Sequence, residues 1–520
     1  MSAPIKHILI LGGGSAGWLT AAILAARFQD GRTGINVTLV ESPNVPTIGV
    51  GEGTWPSMRS TLQTIGLSET EFVRHCDAAL KQGTWFKNWT AAGDQPYYHP
   101  FTQPAGFETV NLAEFWLQGL AGDKSFASAV SPQATICDHN QAPKQIQIPE
   151  FAYTLNYGYH LDAAKFADIL KNHAVGQLGV EHKLADVVGV RTDGAGYIEA
   201  LETEQLGVLG ADLFVDCSGF TGLLIDQHFN VPLTPQDHIL FNDRALAVQV
   251  PYPSESEPIA TSTKSTAQQA GWIWDIGLQH RRGVGHVFSS RFQSEDETYS
   301  ILDQYLRDTG HAEGLQDLSP RLLAFQAGYR ERFWVKNCVA IGLSGGFIEP
   351  LEASALVLIE LSAQALADRL PANREVMRIT ANRFNREFTY RWEQIIDFLK
   401  LHYLLSQRTE PYWVANREPE TISESLRDKM ALWQHQVPWY HDDLRRDEMF
   451  PAASYQYVMF GMGFRPDGTG VTLRSESKQK ASAQKLFQDV EQLTQRYRQH
   501  LPNNRSLMSH LQQVPFGRTQ

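Results

Sequence analysis

The glycines near the start of the chain have the spacing of a nucleotide-binding loop. Gly12, Gly14 and Gly17 follow an apolar run at residues 7–11, and small and apolar residues at helical spacing follow the loop. Strand, glycine turn and helix in this order are what a dinucleotide site requires. In such a loop Gly12 permits the tight turn, Gly14 lets a pyrophosphate approach the backbone, and Gly17 lets the helix pack closely on the strand.

Two further features support a dinucleotide site. Ser15 and Ala16 begin the predicted helix, and the N–H groups at a helix N-terminus bind phosphate. Residues 35–40 predict a second buried strand ending in Glu41, at about the distance where an acidic side chain takes ribose hydroxyls. The alternative is a glycine turn in an α/β sheet without a ligand.

A second glycine-rich loop spans residues 46–56. Its small residues let the backbone come very close to a ligand, and the candidate contacts are Val50, Gly51, Glu52 and Gly53. Glu52 is either a solvated charge or a group near the bound cofactor, and the sequence leaves both open.

Lys81 is the first candidate for chemistry on a substrate. Ser68 and Glu71 have capping-box spacing, and the helix that they open is predicted to end at or just before Lys81. A lysine at a helix end ordinarily complements the helix dipole. Here an aromatic-rich stretch at 83–101 follows, and desolvation beside such surface alters the chemistry of an amine.

Glu352 is the second candidate. Residues 337–346 predict a buried strand that enters a glycine turn, and a long helix is predicted from about Glu352 to about Asp368. Such a turn is where backbone N–H groups would meet a bound cofactor. A glutamate near a helix start also simply complements the dipole.

Composition excludes several classes of function. The net charge of −12 argues against nonspecific nucleic-acid binding and against an anionic membrane surface. The four cysteines lack metal-like spacing, so we expect reduced thiols and no metal. No signal-peptide pattern and no apolar stretch long enough for a membrane span are present, so we expect a cytoplasmic protein.

The remaining pattern predicts how these residues are positioned. Residues 211–220 predict another buried strand that enters a glycine turn, and residues 271–277 alternate as a strand of an antiparallel sheet. An amphipathic helix is predicted over 159–173, and residues from 373 onward are mostly helical. We therefore predict an α/β fold with a C-terminal helical region.

Four stretches together resemble the flavin-dependent tryptophan halogenases. They are the glycine loop; residues 272–277, similar to a WxWxIP signature with Gly277 in place of proline; Lys81 in its aromatic context; and residues 350–355, which look like a Pro-Leu-Glu-Ser-Thr-Gly segment. The resemblance extends from residue 5 to about residue 470. It implies a flavoprotein-monooxygenase-like FAD-binding module with mixed sheets at 1–370, in which about 85–150 and 225–330 contribute to the substrate pocket, and a substrate-covering helical region at 371–520.

The resemblance also implies a reaction. FADH2 from a separate flavin reductase, oxygen and chloride or bromide give hypohalous acid. Lys81 directs it to electrophilic halogenation of an aromatic carbon, and Glu352 assists. Trp272 and Trp274 wall off the flavin, Ser354 and Ala355 lie at the halide site, and the FAD contacts include Val187, Leu343 and Leu356.

Substrate choice is less determined. His99, Phe101 and Phe450 resemble aromatic contacts to an indole, but the family's clamp for the amino-acid part of tryptophan is not evident in residues 445–457. We therefore expect an indole or another electron-rich aromatic. Alternative functions are an FAD-dependent aromatic hydroxylase and a non-catalytic flavin-binding protein. Homodimers are common in the family, and the sequence shows no interface.

Overall fold

The computed structural model describes residues 3–28, 34–45, 51–467 and 477–517. The chain forms two compact units that interleave along the sequence. The first comprises Met1–Ala78, Leu161–Gln236 and Phe325–Trp392, and the second comprises Ala79–His160, Asp237–Ala324 and Glu393–Gln520. The predicted α/β class is confirmed, and the predicted functional division at about residue 370 stays a prediction.

The first unit contains a six-stranded sheet of the nucleotide-binding kind. Strand His7–Leu11 lies in its middle and pairs in parallel with Leu213–Asp216 on one side and Asn36–Glu41 on the other. Buried Leu9, Val40 and Phe214 form part of its core. Because Leu11 pairs with Asp216, the glycine loop lies at the carboxyl edge of parallel strands, where such sheets bind ligands.

The other elements of the first unit complete this sheet and its helices, form two three-stranded sheets, and include the short strand Gly51–Gly53, which lies outside these sheets. The strands are Gly51–Gly53, Glu181–Leu184, Val187–Thr192, Ile198–Thr203, Gly207–Gly210, Leu233–Pro235, Gly328–Arg330, Trp334–Val335, Cys338–Ala340 and Gly346–Phe347. The helices and helical turns are Ser15–Phe28, Ser57–Ile65, Glu69–His75, Ala163–Gly176, Gly219–Thr221, Leu223–His228, Gly342–Ser344, Leu351–Ala353 and Ser354–Asp368.

The second unit is built on a seven-stranded, mostly antiparallel sheet. Strand Gly271–Gly277 pairs antiparallel with both of its neighbours, Thr263–Gln268 and Arg281–Phe288, which confirms the predicted antiparallel sheet. Ile273 on one face packs with Leu302 of helix Glu295–Asp308. The alternation of this strand therefore leaves Trp272 and Trp274 together on the other face.

The remaining elements of the second unit are mostly short. The strands are Ala79–Lys81, Gly83–Lys87, Tyr97–Pro100, Arg244–Pro251 and Arg321–Ala324, and strand Gly158–Asp162 begins in this unit and ends in the first. The helices and helical turns are Leu112–Leu117, Phe126–Val130, Gln133–Asp138, Pro411–Ala415, Pro419–Thr421, Glu424–Trp433, Tyr440–Asp442, Ala452–Gly461, Ser477–His500 and Asn504–Gln513. Helix Arg374–Leu404 belongs to both units, and it confirms the predicted helical character after residue 373.

The predicted helical position of Lys81 is wrong. Ser68 caps the helix as expected, but the helix ends at His75, and Asp77 has a left-handed backbone with φ 49°. The chain then forms strand Ala79–Lys81, which pairs with Gly158–Asp162. Ala79 and Leu80 happen to continue the helical spacing of apolar residues. A strand of only three residues is too short to show the alternation that would identify it.

The helix predicted over 159–173 begins later than expected. Residues up to Asp162 form the strand that pairs with Ala79–Lys81. The Asp162 carboxylate then accepts hydrogen bonds from the N–H groups of Ala164 and Lys165. That cap starts helix Ala163–Gly176, so the apolar pattern at 159–162 belongs to a buried strand.

Candidate active site

The glycine loop combines two positions that have no room for a side chain with one that borders open space. Gly12 has φ 119°, and a Cβ there would lie 2.2 Å from the carbonyl oxygen of Cys217. A Cβ on Gly17 would lie 1.8 Å from the Gly12 carbonyl oxygen, whereas a Cβ on Gly14 would meet nothing within 4 Å. Gly12 and Gly17 are thus needed for the fold, and Gly14 borders open space at the start of helix Ser15–Phe28.

Glu41 lies where a ribose contact is expected. It ends its strand, and its Oε1 lies 2.9 Å from Nε2 of His182 on the neighbouring strand. Its Oε2 lies so close to Gly13 that a Cβ on that glycine would be 1.5 Å away. The carboxylate is therefore beside the glycine loop, within the first unit.

The other predicted cofactor contacts in the first unit lie in several elements. Ser15 donates a hydrogen bond to the Ala163 carbonyl (3.4 Å), and Ala16 lies so close to Gly342 that a Cβ there would be 2.7 Å away. Leu356 is buried. Val187 and Leu343 are half-buried, as are Gly51 and Gly53, and Val50 lies outside the described residues.

Glu52 is partly removed from water. It lies in the middle of strand Gly51–Gly53 and is half-buried. Burial raises the pKa of its carboxyl from 4.5 to about 7. Glu52 is therefore not a fully solvated charge, and its proximity to a bound cofactor stays a prediction.

Glu352 lies in an unusual turn before helix Ser354–Asp368. Its backbone has φ 64° and ψ 8°, and Ala353 has φ 55° and ψ 48°. Ala353 is the N-cap residue and provides no side-chain cap. The positive end of the helix dipole lies at this turn and can attract an anion. Ser354 is buried and Ala355 is exposed at this end of the helix.

Lys81 is held in the second unit by strand pairing. Only 1% of its surface is exposed, and its Nζ lies 5.4 Å from the ring centroid of Phe101. It pairs with Gly158, and His160 is its diagonal neighbour on the same face. Burial, and next the charge of Lys81, hold the pKa of His160 well below its ordinary value. The imidazole beside the amine is therefore neutral.

The predicted substrate contacts form part of an aromatic cluster in the second unit. The His99 ring lies 6.3 Å from that of Phe450 and 6.2 Å from that of Tyr457. Phe450 stacks on Phe398 with 3.8 Å between ring centroids. Phe101 donates its backbone N–H to the Gln82 carbonyl (3.0 Å), which ties this aromatic to the strand of Lys81.

The two tryptophans of the signature lie edge to face with their ring centroids 6.4 Å apart. Trp272 is 1% exposed. The Trp274 ring covers Gly285 so closely that a Cβ there would lie 2.1 Å from it. The pair therefore forms a rigid aromatic surface on one face of the sheet.

The structure brings some predicted residues together and leaves one pairing open. Lys81 contacts Phe101, and His99 contacts Phe450, within the second unit. Glu352 belongs to the first unit, so its proximity to Lys81 stays a prediction.

Sequence reasoning missed His160, whose position depends on pairing with a strand about 80 residues away. The described residues contain no group of three or more potential metal ligands. No helix among them is long and apolar enough to cross a membrane.

Comparison with known proteins identifies relatives of this chain. The family model described as tryptophan halogenase matches residues 7–476. The chain is 32% identical to tryptophan 6-halogenase ThaL of Streptomyces albogriseolus, covering 98% of this chain and 99% of that protein. It is 30% identical to tryptophan 7-halogenase RebH of Lentzea aerocolonigenes, covering 97% and 98%.

Solved structures agree with these relatives. The crystal structure of a tryptophan halogenase from Shewanella frigidimarina has a TM-score of 0.95 and 46% identity, covering 99% of both chains. BrvH, a flavin-dependent halogenase from Brevundimonas sp., has a TM-score of 0.84 and 31% identity, covering 98% of this chain and 99% of its own.

Proposed function

This chain belongs to the tryptophan halogenase family, whose members are flavin-dependent oxidoreductases, and we propose that it halogenates an electron-rich aromatic carbon with reduced FAD, oxygen and a halide ion. The observation that carries the proposal is the family match over residues 7–476, which includes both Lys81 and Glu352.

The residues of the first unit fit FAD. The open space at Gly14 and the start of helix Ser15–Phe28 suit the pyrophosphate, and the Glu41 carboxylate suits ribose hydroxyls. With oxygen and halide, bound reduced FAD supplies the oxidised halogen as hypohalous acid. The uncapped N–H groups at Ser354 and Ala355 would hold the halide ion, because the positive end of the helix dipole attracts anions.

Lys81 would hold the electrophilic halogen against the substrate. The amine either donates a hydrogen bond to hypohalous acid or forms an N–halogen bond with release of water. Both roles suit an amine that is buried beside an aromatic ring and a neutral imidazole. A fixed position over one ring carbon gives the reaction its direction.

Glu352 would complete the substitution as a base. Electrophilic attack on an aromatic ring leaves a carbon that must lose a proton, and a carboxylate can accept it. Trp272 and Trp274 would separate this chemistry from the flavin. That separation distinguishes a halogenase from a hydroxylase, in which oxygen activated by the reduced flavin would have to reach the substrate directly.

The proposed substrate is an indole or a related electron-rich aromatic. His99, Phe101 and Phe450 supply aromatic surfaces in the second unit. The named relatives act on tryptophan, but residues 445–457 of this chain lack an evident clamp for its amino-acid part. We therefore propose a substrate without that requirement, a separate flavin reductase as partner, and assembly as a homodimer, which is common in the family.

The test is a reconstituted assay. The purified chain is mixed with a flavin reductase, NADH, FAD, chloride or bromide, and a panel of indoles, phenols and free tryptophan. Mass spectrometry is expected to show halogen in the product, and Lys81→Ala is expected to abolish it. A hydroxylated product, or full halogenation by the variant, would contradict the proposal.

A further inference from the structure

Glu352 and Ala353 have a backbone conformation that their side chains disfavour. Both have positive φ, a region that glycine and, less often, asparagine or aspartate adopt. Among the described residues, these are the only two consecutive non-glycine residues with positive φ. Such a conformation persists only where the surrounding structure holds it.

A side chain from another segment holds this turn. The indole Nε1 of Trp55 donates a hydrogen bond to the backbone carbonyl of Glu352, at 2.8 Å. Within the turn, the Ala353 N–H donates to the Pro350 carbonyl at 3.0 Å. Fixing the carbonyl of Glu352 restricts its ψ, and the direction of its side chain follows from that backbone.

Trp55 is itself fixed relative to the helix that follows Glu352. Helix Ser57–Ile65 begins two residues after Trp55. Ser57 and Thr61 on that helix donate hydrogen bonds to the Glu360 carboxylate, at 3.1 Å and 2.5 Å. Glu360 lies in helix Ser354–Asp368 and is 3% exposed. The indole and the turn therefore belong to one pair of bonded helices in the first unit.

We propose that Trp55 is a positioning residue that holds the left-handed turn and thereby directs the Glu352 carboxylate. This inference rests on the proposed function of Glu352 as the base. Trp55 acts through the backbone of Glu352, so its loss leaves the carboxylate present but misdirected. FAD binding and the oxidation of reduced flavin do not depend on that direction.

The test is Trp55→Phe, which removes the N–H donor and keeps an aromatic ring. We expect kcat for halogenation, and the halogenated product formed per reduced flavin oxidised, to fall about tenfold, which is the rate equivalent of one lost hydrogen bond. The KM for the aromatic substrate and the Kd for FAD are expected to stay unchanged. A general loss of structure would change all four quantities.

Trp334→Phe is the matched control. Trp334 lies in the same unit, and its Nε1 donates to the Lys336 carbonyl at 3.0 Å. Its loss removes an equivalent hydrogen bond away from Glu352. If Trp55→Phe retains full product yield per flavin, or loses no more than Trp334→Phe, the inference is wrong.

A second variant covers the case in which Trp55→Phe does not fold. Glycine adopts positive φ without strain, so adding Ala353→Gly is expected to restore folding and part of the product yield. A double variant that folds and binds FAD but gives no halogenated product contradicts the inference. Lys81→Ala and Glu352→Gln, assayed in parallel, separate the two proposals: if both retain full halogenation, the proposed function fails whatever Trp55→Phe does.

Discussion

Lys81 lies at the end of a regular extended strand, whereas Glu352 lies in a left-handed turn before a helix. The strand of Lys81 is held by main-chain pairing with Gly158–Asp162, far away in the sequence. The turn of Glu352 includes a hydrogen bond from the Trp55 indole to the Glu352 carbonyl and one from the Ala353 N–H to the Pro350 carbonyl. The lysine therefore depends on main-chain pairing between distant segments, whereas the turn at Glu352 includes a side-chain hydrogen bond that a single substitution can remove.

The two regions also differ in the buried groups beside them. Near Lys81 the neighbour is His160, whose pKa burial lowers. The helix after Glu352 carries Glu360, whose pKa burial raises. Both pKa shifts favour the neutral form of the side chain. His160 and Glu360 therefore provide no charge that would offset the charge of Lys81 or of Glu352.

The largest expected effect comes from removing the amine. Lys81→Met keeps the volume and apolar character of the stem, and we expect halogenation to fall by on the order of ten-thousandfold, as for other residues that hold a reactive group. Rates of product formation by mass spectrometry check this. Lys144→Met is the control, because Lys144 is also a fully buried lysine in the second unit. Equal losses in both variants would show a structural effect.

Glu352→Gln is expected to have a smaller effect on the same reaction. The amide keeps the shape of the side chain but cannot accept the ring proton, so kcat should fall by roughly a thousandfold. Oxidation of reduced flavin, followed by its absorbance, should continue at the wild-type rate. Unchanged halogenation would remove Glu352 from the mechanism and leave Lys81 as its only catalytic residue.

The pH dependence of stability tests the helix pair that supports Glu352. Burial raises the pKa of Glu360 from 4.5 to about 7, so between these values the folded chain keeps a proton that the unfolded chain releases. The free energy of unfolding should therefore fall by up to about 3 kcal/mol as pH rises through this range, and level off above it. Glu360→Gln should remove this pH-dependent part of the free energy of unfolding, which urea titrations at several pH values measure. A wild-type-minus-variant difference that does not change with pH would contradict the shift.

The smallest predicted effect is in the glycine loop, where Gly17→Ala and Gly14→Ala form a matched pair of variants. Gly17→Ala should lower the free energy of unfolding by about 2 kcal/mol, because its Cβ would lie 1.8 Å from the Gly12 carbonyl oxygen. Gly14→Ala should leave stability unchanged, because its Cβ would meet no atom within 4 Å. It should weaken FAD binding, because the Cβ would occupy the space proposed for the pyrophosphate. Urea unfolding and FAD titration check the two properties. Destabilisation by Gly14→Ala would refute the assigned roles.

The glycine loop could be predicted from sequence because its function is backbone geometry. The spacing of Gly12, Gly14 and Gly17 specifies which positions must lack a Cβ, and the packing in the first unit agrees with it. The strand at 271–277 could be predicted for a similar reason, because its alternation extends over seven residues.

The surroundings of Lys81 and Glu352 could not be predicted in the same way. The strand of Lys81 is only three residues long, and its partner strand was predicted as part of a helix. The turn at Glu352 contains no glycine to indicate positive φ, and Trp55, which holds it, lies 297 residues away in the sequence. Both depend on long-range contacts that leave no local pattern.

The central claim is that the oxidised halogen, and not the flavin's oxygen, reaches the substrate. The most direct measurement is the mass of the product formed with reductase, bromide and isotopically labelled oxygen. We predict a brominated aromatic that carries none of the oxygen label. A product with labelled oxygen on its ring and no bromine would contradict it and identify a hydroxylase.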